Sequence, residues 1–123
     1  MALAVAAGAV GTHALKSRLT AAQLATFDTA QTYHVIHSFG LIAVALIIHV
    51  WGPSRLRKLV AWMFGFGLVM FSLSLYIVAI SGDKTLVALP PFGGFAWIVA
   101  WVILGISLAR EGSTVTPNSP PPS

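Results

Sequence analysis

A chain of 123 residues that is 57% hydrophobic, only 8% charged and has a mean hydropathy of +0.87 lacks the composition of a soluble domain, where about a quarter of residues are charged. Its net charge of +4 comes from seven basic residues scattered between apolar runs; they form no stripe that could follow a phosphate backbone, so nucleic acid is excluded as a partner. With no cysteine, disulfides, thiolate metal sites and a Cys nucleophile are excluded too.

No Lys, Arg, Asp or Glu occurs from Thr29 to Ser54, from Leu59 to Gly82 or from Thr85 to Ala109, gaps of 26, 24 and 25 residues. About 20 apolar residues of helix cross the ~30 Å hydrocarbon core of a bilayer. The predicted fold class is all-α: an integral membrane four-helix bundle in one domain over 1–109, with a short or truncated first helix, followed by a Ser/Thr/Pro-rich tail over 110–123. The lipid bilayer is thus its first partner.

Met1 to Leu15 is an apolar run of small residues ending at Lys16 and Arg18. Fifteen helical residues reach only about 22 Å, so this helix either spans a thinned region or starts downstream of the natural start. No basic region precedes it, which argues against a conventional signal peptide. Thr20-Ala21-Ala22-Gln23 has the Ser/Thr-x-x-Glu/Gln pattern of a capping box and opens a second helix. There Leu24, Phe27, Gln31, His34 and Ser38 recur at helical spacing, predicting an amphipathic interfacial lead-in over 21–32 before a span that ends near Trp51.

Gly52-Pro53-Ser54 breaks that helix, and Arg55, Arg57 and Lys58 follow. The third span runs from about Leu59 to Ile80, with a turn at Ser81-Gly82-Asp83-Lys84. Pro90-Pro91 precedes the fourth span, where Pro suits a first turn because its missing N–H would have no intrahelical acceptor. That span ends near Ala109, and the tail closes on Pro120-Pro121-Pro122, a composition that is extended or disordered unless a partner orders it.

Four spans place 16–28 and 81–90 on one side of the membrane, and 52–58 with both termini on the other. Arg55, Arg57, Lys58 and Arg110 against Lys16, Arg18 and Lys84 favour cytoplasmic termini by the positive-inside rule. Trp51 and Trp62 flank the basic loop as an interfacial aromatic belt would. Trp97 and Trp101, four residues apart on one face, sit inside the last span; they pack on a neighbouring helix or face lipid as bulk.

Ionisable residues within spans are costly and are candidates for function. His13 lies near the exit of the first span, Tyr33, His34 and His37 near the entrance of the second, and Ser72, Ser74 and Tyr76 in the later half of the third. By the topology above they share the leaflet opposite the Arg-rich loop. Gly93 and Gly94 open the last helix from the same side. An imidazole is able to ligate a metal or shuttle protons, its unperturbed pKa being near 6.5. The same residues also serve as hydrogen-bonding glue between transmembrane helices, at about 0.6 to 2 kcal/mol per contact. Haem ligation needs opposed histidines around an apolar slot, for which His13 and His37 are the feasible pair. His49, beside Trp51, belongs to the other interface and snorkels. Gly8, Gly11 and the Ala96-x-x-x-Ala100 pair are small residues suited to helix packing. Asp28, Asp83 and Glu111 lie outside the charge-free runs, so no buried carboxylate of the ion-coupled kind is present.

Four ordered blocks carry a family resemblance. Gly8-Ala9-Val10-Gly11-Thr12-His13-Ala14-Leu15-Lys16, then Phe27, Ala30, Tyr33 and His37-Ser38, then Leu68-Val69-Met70-Phe71-Ser72-Leu73-Ser74-Leu75-Tyr76, then Pro91-Phe92-Gly93-Gly94 with Trp101, together resemble the YgdD-like family of small membrane proteins of unknown function. That family has bacterial inner-membrane members and a eukaryotic transmembrane counterpart. The likeness extends to about Leu108 and leaves out the tail. It implies a four-helix membrane protein without an established activity, in a bacterial inner membrane or, alternatively, a mitochondrial inner membrane. The family's His, Tyr and Ser positions fall on His13, Tyr33, His37, Ser72 and Tyr76. Its first helix is usually longer, and Thr12 and Ala100 stand where it tends to have Ala and Gly.

Three functions compete. The first is a non-enzymatic accessory or scaffolding subunit of a larger membrane complex, with no cofactor and with other membrane-protein subunits as partners. The second is a small transporter or ligand-binding protein using the His/Tyr/Ser cluster, and the third is a haem or metal carrier.

Overall fold

A computed structural model describes residues 1–112, and the stretch 113–123, which holds most of the expected tail, lies outside them. The described residues are helical, with no strand. Helix α1 (Ala2–Val10) runs into a π-helical segment, Gly11–Leu15. Helix α2 is Ala21–Trp51. Helix α3 (Arg55–Gly67), a second π-helical segment (Leu68–Leu73) and α4 (Ser74–Ser81) follow one another without a break. A 3₁₀ turn, Thr85–Ala88, leads into α5, Pro90–Gly112.

The ends of these helices are set by local chemistry. At Thr20 the backbone N–H donates to Gln23 Oε1 at 3.0 Å while the Gln23 N–H donates to Thr20 Oγ1 at 3.3 Å, the reciprocal bonds of the expected capping box. Ser54 caps α3 in the same manner, accepting from the Arg57 N–H at 3.2 Å. Gly52 (φ +79°) and Gly82 (φ +72°) hold the turns that follow α2 and α4, in a region that side chains with a Cβ avoid. Pro90 is the first residue of α5, where no N–H is needed.

Three helical stretches are long and apolar enough to cross a membrane, Ala21–Trp51, Arg55–Ser81 and Thr85–Glu111, while Ala2–Leu15 is shorter. Four spans were expected, the first of them short; among the described residues three have the length and Ala2–Leu15 does not. The 31 residues of α2 measure about 46 Å, so its first turns extend beyond a ~30 Å core. The expected lead-in is continuous with the span in one helix. Helix α1 packs antiparallel to the first half of α2: a Cβ at Gly11 would lie 2.5 Å from the Phe27 ring, and one at Gly8 would meet the end of the Gln31 side chain.

The core lies between α2, α3 and α5, where Val44, Val60, Phe64, Trp97, Ala100 and Leu104 are buried together. Gly67 lies under the Trp97 indole, and a Cβ on Gly93 would lie 2.7 Å from the Phe71 N and 3.1 Å from the Gly67 O. The start of α5 therefore lies against the backbone at Gly67 and Phe71 and against the Phe71 Cβ. Ser74 Oγ donates toward the carbonyls of Met70 (2.6 Å) and Phe71 (2.9 Å), supplying a donor where the wider π turn disturbs the regular ladder.

At the other end of the bundle Arg57 is only 3% exposed. Its guanidinium donates to the carbonyls of Trp51 (3.1 Å) and Gly52 (2.7 Å), pairs with the Glu111 carboxylate, and lies 5.8 Å from the Trp51 ring centroid. Arg57 was expected as a loop charge and Glu111 as part of the tail. Helix α5 instead continues through Glu111 to Gly112, and the pair ties the C-terminus of α5 to the α2–α3 turn. A cation beside the C-terminal carbonyls of α2 also opposes the negative end of that helix dipole.

Candidate polar and aromatic site between the helices

Helical spacing puts Tyr33 and His37 on one face of α2, and α5 brings Trp97 against them. The His37 and Trp97 rings stack at 3.5 Å between centroids with 5° between their planes, and Tyr33 lies nearly parallel to both, 6.0 Å from His37 and 5.9 Å from Trp97. Phe71 closes this stack against Tyr33 (4.8 Å) and Trp97 (5.0 Å). Phe64 reaches His37 at 5.9 Å and Trp101 at 4.9 Å, the latter edge-on. Offset and edge-on aromatic pairs contribute about 0.5–1.5 kcal/mol beyond the area they bury.

Two polar atoms of the stack are turned onto backbone. His37 Nδ1 donates to the Tyr33 carbonyl at 2.8 Å; a carbonyl only accepts, so Nδ1 carries the proton and Nε2 holds the lone pair of the neutral ring. Trp97 Nε1–H donates to the Phe64 carbonyl at 3.2 Å. Trp97 is 3% exposed and Trp101 43%, so the two tryptophans divide the two sequence expectations. Trp97 is a packing residue against α2 and α3, and Trp101 is half toward the bundle and half toward the surroundings.

His34, one residue after Tyr33, faces a different neighbour. Its Nδ1 lies 3.4 Å from the Tyr76 hydroxyl, with the rings at 67°, and Tyr76 also packs on Phe27 at 4.8 Å. His34 and Ser38 line a cleft of about 380 Å³ with Leu41, Ile42, Leu68 and the first residues of α1. Ser72 is buried, and its hydroxyl has no hydrogen-bond partner among the described residues.

The seven polar positions thus fall into two groups and three single residues. Tyr33 and His37 join the Trp97 stack, His34 and Tyr76 pair beside α1, Ser74 serves the π segment, and Ser72 is buried alone. His13 remains exposed in the Gly11–Leu15 segment and joins neither group. Among the described residues no group of three His, Cys, Asp or Glu side chains converges as a metal site would require. Phe64, Phe71 and Gly67 complete the stack and were not singled out from sequence for this role. Their signal was the recurrence of Phe and Gly at helical spacing in 64–71, where apolar residues are the norm.

The family described as "Protein of unknown function (DUF423)" matches residues 7–94. The chain is 38% identical over 105 residues to a UPF0382 membrane protein of Staphylococcus saprophyticus, covering 85% of each. It is 32% identical over 108 residues to the UPF0382 membrane protein YwdK of Bacillus subtilis, covering 88% of each. The UPF0382 inner membrane protein YgdD of Escherichia coli is 26% identical over 117 residues, 88% of this chain and 84% of that one. No solved structure matches the chain.

Proposed function

From the premise that this chain belongs to the DUF423 family of membrane proteins of unknown function, we propose that it is a non-enzymatic accessory subunit, which acts by holding other membrane-protein subunits. The observation that carries this reading is how the central polar atoms are used. His37 Nδ1 and Trp97 Nε1 are each bonded to a neighbouring carbonyl, and Trp97 covers a face of the imidazole. Such a layer fixes three helices against one another and leaves the outer faces to make contacts. In this reading the chain lies in the bacterial inner membrane, α1 accompanies the three long helices as a fourth membrane segment, and the Arg57 end is cytoplasmic.

The test is purification of the tagged full chain from native membranes in mild detergent. The expected result is recovery in a larger assembly whose co-migrating proteins are recovered reproducibly. Recovery only as a free monomer, with no neighbour captured by crosslinking in intact membranes, overturns the reading. One observation favours a second: the cleft bearing His34 and Ser38 is large enough for a small ligand, as pockets of about 300–1,000 Å³ are. That alternative expects His34→Ala to abolish ligand-dependent thermal stabilisation while leaving the α-helical circular dichroism unchanged.

A further inference from the structure

On the outer side of α3, Lys58, Ala61, Trp62 and Gly65 share one face and, with Ile48 of α2, line an open groove of about 370 Å³. Lys58 stands one turn inside the Ser54 cap, and Gly65 lies seven residues further, about 10 Å deeper along the helix axis. The groove therefore has a cationic mouth at the end of the bundle and an apolar floor that runs toward its middle. Trp62, 80% exposed, forms one wall, about one turn along the helix from Lys58. The floor is open because Gly65 has no side chain, and a Cβ built there meets nothing within 4 Å.

Charge decides what fits this shape. The cations at this end are Arg55, Arg57, Lys58 and Arg110, and the only acid among the described residues there is Glu111. Arg57 and Glu111 neutralise each other, which leaves Arg55, Lys58 and Arg110, all exposed, as the positive charge of this end, with Lys58 itself in the groove lining. We propose that this groove is a binding site for one anionic phospholipid, the Lys58 ammonium meeting the phosphate and an acyl chain lying along Ile48, Ala61 and Gly65 beside Trp62. A lysine fits this role because its ammonium reaches the headgroup region on a stem that itself covers apolar surface.

The test uses the full chain in a zwitterionic detergent, titrated with dioleoyl phosphatidylglycerol or phosphatidylcholine brominated in the acyl chain. Trp62 quenching is read as the difference between the native chain and Trp62→Phe. The expected result is half-quenching by phosphatidylglycerol at about fivefold lower mole fraction, the effect of one basic residue near an anionic surface. Lys58→Gln should remove that preference, and Gly65→Leu, which fills the floor but keeps the charge, should remove it as well. Both sites are open to the surroundings, so folding is checked by an unchanged circular dichroism spectrum. Equal quenching by the two lipids overturns the proposal. So does a preference that survives Gly65→Leu, which would mark a general basic surface, or one abolished by millimolar glycerol phosphate, which would mark a site for the free phosphate.

Discussion

Replacing Gly93 by Ala tests whether α5 is held by backbone contact with the π segment. A Cβ there would sit 2.7 Å from the Phe71 N, 2.9 Å from its Cβ and 3.1 Å from the Gly67 O. Two of those three atoms are backbone, fixed within a helix that cannot yield locally. At Gly94, one residue along, the nearest atom would be the Phe71 ring at 3.7 Å, an ordinary contact, and at Gly65 nothing lies within 4 Å. Each substitution gains up to about 1 kcal/mol from helix propensity, so this term cancels between variants. Overpacking costs about 1–3 kcal/mol, and Gly93→Ala should therefore be less stable than Gly94→Ala or Gly65→Ala by about that amount. Unfolding of the purified protein by sodium dodecyl sulfate, followed by circular dichroism, measures it. Equal stability of the Gly93 and Gly94 variants would refute the close approach.

The Arg57 clamp should respond unequally to loss of its two sides. Arg57→Ala removes the bonds to two carbonyls and the ion pair with Glu111, and should cost about 3 kcal/mol or more at about 1.5–3 kcal/mol per bond to a charged group. Glu111→Gln should cost less than Arg57→Ala, because Arg57 keeps both carbonyl acceptors and the carboxylate is 42% exposed; a greater loss for Glu111→Gln in the same unfolding assay would contradict the clamp. Trp97→Phe should cost about 1 kcal/mol for its bond to the Phe64 carbonyl and remove the most blue-shifted component of the tryptophan emission. Trp62→Phe should stay within about 0.5 kcal/mol of the native chain, and equal costs for the two would remove Trp97 as an anchor.

Much of the fold was legible because lipid imposes simple rules. Thr20 with Gln23, Gly52-Pro53 and Pro90 give helix ends from local chemistry, and each lies within one or two residues of a boundary or cap in the structure; the charge-free gaps mark the long helices themselves, beginning at Thr29 and Leu59 inside α2 and α3. The short first helix was legible too, since the apolar run from Met1 stops at Lys16 and the structure has Ala2–Leu15 shorter than the three long helices. Of the polar positions, the shared face of Tyr33 and His37 follows from their spacing alone. Their ring neighbours on other helices do not, since Phe and Trp occur throughout the apolar runs and spacing carries no information about which helix meets which face.

Residue chemistry along the chain thus determined that this is a helical membrane protein and where its long helices begin and end, since hydrocarbon requires every backbone polar group to be bonded within its own helix. Only the tertiary structure decided that Arg57 is buried against Glu111, that His37 and Trp97 stack face to face, and that His13 remains outside. These depend on how helices far apart in sequence rotate and cross. Between apolar surfaces that choice is made by small differences in fit, such as the missing side chains of Gly67 and Gly93.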